Sequence, residues 1–201
     1  LVFHNAYGPG KEWFYDWKQS GGGCVIDLGI HLADLALWDL GFPEIRGVSS
    51  RLFSQGRPIH GRSTVEDYAE AQLETESGAV LRLACSWKLS AGREAIIQAN
   101  FYGTQGGASL HNVNGSFYEF AAEHFGGTKS EVLSSGPEPW GGRAAVHWAE
   151  QLAISPGFDP DCEHLEEVAA TLDGIYDQST AIEVPRVSPA TSRHPALLSS
   201  L

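Results

Sequence analysis

This 201-residue chain has no methionine, 3 cysteines, and only 13 lysines and arginines against 25 aspartates and glutamates. Each shortage excludes something. A translated chain starts with methionine, so Leu1 is expected not to be the native start and the chain to be part of something longer. Three cysteines make no disulfide framework at this length and point to a reducing, cytoplasmic compartment. The net charge of -12 argues against a bare nucleic-acid backbone or an anionic membrane surface as partner. No apolar run reaches the roughly 18 to 20 residues a membrane-spanning helix needs, and no signal-peptide pattern opens the chain. Motifs are missing too: no Gly-x-Gly-x-x-Gly after a strand, no Walker loop, no His-Glu-x-x-His, and no zinc spacing among Cys24, Cys85 and Cys162. The chain therefore supplies no recognised nucleotide cradle, and no metal is expected. Asp159, Asp161 and His164 lie close in sequence, but capping explains Asp159 without one.

What is present fits one domain with a substantial core: 42% of the residues are hydrophobic and 10% aromatic. Residues 1 to 20 are aromatic and irregular. Leu1-Val2-Phe3 reads as a strand, Tyr7-Gly8-Pro9-Gly10 as a turn, and Trp13, Phe14, Tyr15 and Trp17 follow it. After Gly21-Gly22-Gly23, the stretch from Val25 to Leu40 is apolar almost all round, which predicts a buried helix closed by Gly41 and Pro43.

From Ile45 the period changes to two. Ala69, Ala71 and Leu73 alternate with Glu70, Gln72 and Glu74, and Leu81, Leu83, Cys85 and Trp87 repeat the pattern after Ser77-Gly78. Further strands are read at Ala95 to Phe101, Ala108 to Val113, Phe117 to Ala121 and Glu131 to Leu133. Strands joined by short turns make an antiparallel meander. Two helices follow, at 142 to 154 and from Pro160 to about Ala181. The second has Leu165, Val168, Ala169, Leu172, Ile175 and Tyr176 at helical spacing, with Asp159 as N-cap. The 8 acids between Asp159 and Glu183 face no base in that stretch and read as a solvated face. Beyond Arg186 the chain is rich in serine and proline, an extended tail over 187–201. The fold class is α+β: a large open, mostly antiparallel sheet with helices packed on one face, and no Rossmann domain in this chain.

One constellation carries chemistry. Asp27, His31 and Asp34 sit at i, i+4 and i+7 and share a stripe of the first helix. Buried charge needs a partner or a task. An imidazole exchanges a proton near neutral pH, and a carboxylate one turn earlier can orient it. The bland alternative has Asp27 capping the helix and His31 satisfied in the core. The three glycines would let a ligand or another backbone come close to the helix start.

The segment Gly21-Gly22-Gly23-Cys24-Val25-Ile26-Asp27-Leu28-Gly29-Ile30-His31-Leu32-Ala33-Asp34, followed by Trp38 and Gly41, resembles the Gly-Gly-Gly-x-x-x-Asp-x-Gly-x-His-x-x-Asp segment of the Gfo/Idh/MocA oxidoreductases. The likeness continues in order through Val65-Glu66-Asp67-Tyr68-Ala69, Ser77-Gly78-Ala79, Tyr102-Gly103-Thr104-Gln105-Gly106 and Ile182-Glu183-Val184-Pro185. The resemblance implies the C-terminal, substrate-binding and dimerisation domain, over 1–186 and lacking its first segment. NAD or NADP would be held by an N-terminal domain, and no cofactor is expected on this chain alone. It further implies a sugar, cyclitol or related polyol as substrate, His31 as the proton-transfer residue and Asp27 as the group positioning substrate. Asp34 receives no firm role. Trp13 and Trp17 are candidate platforms for a sugar ring. The family's Glu-Lys-Pro segment has no counterpart, so these residues alone are expected to be catalytically silent. The family also implies a homo-oligomer built through the open sheet face. Two alternatives stand beside the oxidoreductase: a non-catalytic ligand-binding or oligomerisation module, and an NAD-dependent glycosidase of the same wider family.

Overall fold

The structure, a computed structural model, describes residues 1–137 and 140–179. Nine strands form one sheet. In chain order they are β1 (Val2–Asn5), β2 (Ile45–Ser54), β3 (Arg57–Ile59), β4 (Tyr68–Thr75), β5 (Val80–Ser86), β6 (Ala95–Tyr102), β7 (Gly107–Asn112), β8 (Phe120–Gly126) and β9 (Lys129–Ser135). Across the sheet the order is β3-β2-β4-β5-β1-β6-β7-β8-β9. Every neighbouring pair is antiparallel except β1 with β5, and the first strand of the chain lies in the middle and joins two antiparallel halves, of which β6 to β9 is a simple meander.

Alternation decides the faces. Ala69, Ala71, Leu73, Leu81, Leu83 and Cys85 are buried, while their sequence neighbours Glu70, Glu74 and Arg82 are exposed, as a strand with one wet face requires. The buried face carries the helices. A short helix α1 (Trp17–Ser20) ends at Gly21, whose φ of 79° places it in the left-handed region. A widened turn over Val25–Gly29, with i→i+5 bonding, then leads into α2 (Ile30–Asp39). The end of α2 is a Schellman cap: Phe42 N donates to the Leu37 carbonyl and Gly41 N to that of Trp38, with Gly41 at φ 72°. Val25, Leu28, Leu32, Ala33, Ala36 and Leu37 are buried.

Helix α3 (Trp140–Ile154) is followed by a 3-10 turn at Pro160–Glu163 and α4 (His164–Asp177). Asp159 caps that turn through the Asp161 amide, as the sequence predicts. The buried stripe of α4 is Val168, Thr171, Leu172, Ile175 and Tyr176, packed beside α2 and β2. Ser50 on β2 donates to the Ile175 carbonyl across that contact.

Several sequence readings shift. The strand expected at Phe117 to Ala121 starts at Phe120 because Ser116 caps a turn through the amides of Tyr118 and Glu119. Glu131 to Leu133 extends to Lys129–Ser135, and the helix read at 142 to 154 starts at Trp140. Leu165 and Ala169, expected on the buried stripe of α4, are exposed: Leu165 borders an open cleft beside Asp34 and Trp38, and the buried stripe runs through Val168, Thr171, Leu172, Ile175 and Tyr176 instead. The helix expected to reach Ala181 is α-helical to Asp177, and Ala181, the domain edge at 186 and the tail lie outside the described residues. Trp17–Asp39, taken as one 23-residue stretch, is long and apolar enough to cross a bilayer by composition alone, contrary to expectation. It is broken at Gly21, and 56% of its most apolar window is buried in the domain, so it reads as core.

Candidate functional site

The site is built on the start of the second helical segment, and its foundation is Glu66. This glutamate, completely buried, aims Oε1 at three donors: Gly23 N at 2.8 Å, Val25 N at 3.0 Å and the Tyr176 hydroxyl at 2.8 Å. Its carbonyl also accepts from Cys24 N at 3.1 Å. A residue 41 positions away thus performs the capping that a local side chain usually supplies. The other oxygen, Oε2, is buried without a hydrogen-bond partner among the described residues. Burial pushes the carboxyl group above its ordinary pKa, while the bonds from Val25, Tyr176 and Gly23 pull the other way. The Tyr176 hydroxyl is held un-ionised by burial and by the neighbouring carboxylate.

The glycines follow from this arrangement. A Cβ on Gly23 would stand 1.9 Å from the Glu66 carbonyl oxygen, and one on Gly22 would stand 2.0 Å from the Tyr176 hydroxyl. Close approach of the Glu66 backbone at Gly23 and of the Tyr176 ring at Gly22, rather than of a ligand, is what these two positions serve.

Asp27 lies within the widened turn, half-buried, and does not cap the helix. Its Oδ2 accepts from Trp87 Nε1 at 2.8 Å. Trp87, buried at the end of β5, is gripped edge-on by Phe14 (84° between ring planes) and Tyr15 (67°). Trp13 stacks on Phe14 with centroids 3.9 Å apart. Trp13, 42% exposed, is therefore linked to Asp27 through two aromatic rings. Trp17 heads α1, is partly exposed and has no ring partner in that wall.

His31 stands one turn beyond Asp27, with its ring 6.1 Å from that of Phe3 on β1. Both His31 and Asp34 are exposed, contrary to the expectation of charge on a buried element. The apolar residues of α2 face the sheet and α4, which leaves this polar stripe on the outer side. The arrangement offers a solvent-exposed imidazole, a carboxylate fixed in direction, and an aromatic wall beside them.

Sequence reasoning missed Glu66, Trp87, Phe14 and Tyr176 as parts of the site. Trp87 carried a usable signal: alternation places it inside, and a buried indole N–H needs an acceptor. Glu66 carried little, because nothing local pairs a glutamate ahead of a strand with a helix start 41 residues earlier.

Residues 1–109 match the profile of the GFO/IDH/MocA C-terminal domain, more than half of the chain. The chain belongs to the Gfo/Idh/MocA family. A curated relative of this family domain, the D-glucoside 3-dehydrogenase of Escherichia coli (strain K12), is 31% identical over 112 residues, which are 51% of this chain and 32% of the relative. The chain thus spans about a third of the length of that relative. Among solved structures, GenD2 from gentamicin A biosynthesis, in complex with NAD, superposes with a TM-score of 0.63 at 26% identity, covering 89% of this chain and 51% of GenD2. The UDP-N-acetylglucosamine 3-dehydrogenase GnnA from Acidithiobacillus ferrooxidans shares the fold of the Gfo/Idh/MocA domain, with a TM-score of 0.66 at 18% identity over 89% of this chain and 52% of GnnA.

Proposed function

We propose that this chain is the substrate-side domain of an NAD(P)-dependent oxidoreductase that oxidises a secondary ring hydroxyl of a sugar or related polyol, or reduces the corresponding ketone. The observation that carries the reading is the pairing of an indole-anchored Asp27 with an exposed His31 one turn away on the outer face of α2. The curated relative acts on D-glucosides, which supports a glycoside as the substrate class.

The chain's fit to the dinucleotide is partial. The glycine-rich helix start, Gly21 to Gly23, cannot grip a pyrophosphate, because Glu66 already takes the N–H groups of Gly23 and Val25. The residues a nicotinamide ring could meet are Asp27 and His31. The bound nicotinamide would take or return the hydride of the carbinol carbon. His31 takes the hydroxyl proton on an unprotonated ring nitrogen as the alcohol becomes a ketone, and returns it in reduction. Asp27, held by the Trp87 indole, positions the substrate hydroxyl. Trp13 presents its free face to a sugar ring, and Trp17 lies at the edge of the same region. In this proposal the pyrophosphate grip, and the lysine of the Glu-Lys-Pro segment that the resemblance implies as an aid to proton transfer, would be supplied by residues other than these.

The open sheet face serves as the subunit contact in this proposal. Its rows are mixed: Arg51 neighbours Glu70, Gln72 neighbours Arg82 and Gln98 neighbours His111 across paired strands, while Phe53 neighbours Tyr68 and Val2 neighbours Ala84. A contact there would combine hydrogen bonds with apolar burial.

The decisive experiment is His31→Asn in the complete enzyme. Turnover is expected to fall by roughly 10²-fold or more, the scale of lost general acid–base catalysis, with the circular dichroism spectrum and melting temperature unchanged. Unchanged turnover would overturn the assignment. Release of free sugar without net reduction of the nicotinamide would point instead to the glycosidase reaction.

A further inference from the structure

The stripe that holds Asp27 and His31 does not stop there. Asp34 and Trp38 continue it at i+3 and i+7 from His31, about 10 Å farther along the helix axis at 1.5 Å per residue. At that end the surface opens into a cleft of about 420 Å³ lined by Asp34, Trp38, Phe42, Asp161, His164 and Leu165. Its walls come from three places in the chain: α2, its Schellman cap, and the start of α4 with the turn before it.

Three features give this cleft a definite chemistry. First, it is aromatic. Trp38 is 67% exposed, and the Phe42 and His164 rings lie parallel, 3.8 Å apart with 4° between their planes. Second, its polar groups suit hydroxyls. Asp34 and Asp161 contribute carboxylates, while His164 has Nδ1 engaged by Glu167 at 3.0 Å and Nε2 without a partner among the described residues. Third, no lysine or arginine lines it, so an anionic group would enter against two carboxylates with no compensating cation. Aromatic faces flanked by hydrogen-bond acceptors match a sugar ring, whose C–H face is apolar and whose rim is hydroxylated.

We propose that this cleft binds a second sugar ring, neutral or amino-substituted, glycosidically joined to the ring presented to His31. The inference rests on the functional reading given above. Trp38 stacks on the second ring, and Asp34 and Asp161 accept hydrogen bonds from its hydroxyl or ammonium groups. The enzyme accordingly prefers disaccharides, or larger glycosides, over simple methyl glycosides. A phosphorylated or uronic second ring is rejected.

The test uses the complete enzyme and compares kcat/KM for gluco- and galacto-configured disaccharides with that for their methyl glycosides. In Trp38→Ala the disaccharide-to-monosaccharide ratio should fall about tenfold, the size of one good aromatic contact. Trp38→Phe should recover most of the ratio, and Asp161→Asn should lower it through KM rather than kcat. A ratio that does not move in Trp38→Ala, or disaccharides no better than methyl glycosides in the unmodified enzyme, overturns the second-ring site. Quenching of tryptophan fluorescence by the same disaccharides, lost in Trp38→Ala, reports binding without turnover. Failure of the oxidoreductase reading would leave that quenching intact while no sugar is oxidised, whereas failure of the second-ring site would abolish the Trp38-dependent part.

Discussion

Glu66 offers a direct test of how this domain holds its site, because one oxygen serves three donors from two distant parts of the chain. In Glu66→Ala the amides of Gly23 and Val25 and the Tyr176 hydroxyl all lose their acceptor inside the core. Each orphaned buried donor costs about 1–3 kcal/mol, and water entering the vacated space restores part of that, so a net loss of about 3–5 kcal/mol is expected. That is a large share of the roughly 5–15 kcal/mol that keeps a domain folded. Glu66→Gln keeps one acceptor oxygen and should cost only about 1 kcal/mol. Urea unfolding of the two variants beside the parent chain measures both. A loss below about 1 kcal/mol in Glu66→Ala, or equal losses in the two variants, would refute the capping role. The pH dependence supplies a second check. Burial raises the folded-state pKa of Glu66 above its ordinary 4.5, so the folded chain holds this proton more tightly than the unfolded one. Its stabilising contribution is fully present below 4.5 and is lost as pH rises through the raised folded-state value. The stability difference between the parent and Glu66→Gln should therefore fall across that window and then level off. A difference that is flat, or that rises, contradicts the argument.

Two other perturbations probe the same structure from different sides. Trp87→Phe keeps the aromatic packing but removes the N–H that fixes Asp27; turnover of the complete enzyme should fall about tenfold with little change in melting temperature, and unaltered kcat/KM would show that Asp27 needs no anchor. Gly23→Ala drives a methyl group into the Glu66 carbonyl and should destabilise the chain by more than about 3 kcal/mol in urea unfolding. Gly126→Ala, where the added carbon meets nothing within 4 Å, is the matched control.

Periodicity made much of this fold legible. The two-residue alternation from Ala69 to Trp87 placed β4 and β5 and their buried faces, because side chains on a strand must point alternately to core and water. The largely apolar run after the glycines placed α2 for an equally direct reason: its apolar residues need burial, although the helix keeps one exposed stripe at His31, Asp34 and Trp38. The position of β1 was not legible, since four residues carry no record of which two strands they will join. Nor was the exposure of Leu165, whose helical spacing matches that of Leu172 although it borders an open cleft rather than the core.

The sequence by itself determined the α+β class, the faces of the central strands, and the spacing that puts Asp27 and His31 one turn apart. Those are consequences of chain chemistry repeated at short range. The tertiary structure decided which groups those residues meet: Trp87 for Asp27, open surface for His31, and Glu66 for the amides at the helix start. Partners such as these are separated by 41 to 110 residues, and only the folding of the sheet under the helices brings their donors and acceptors within bonding distance.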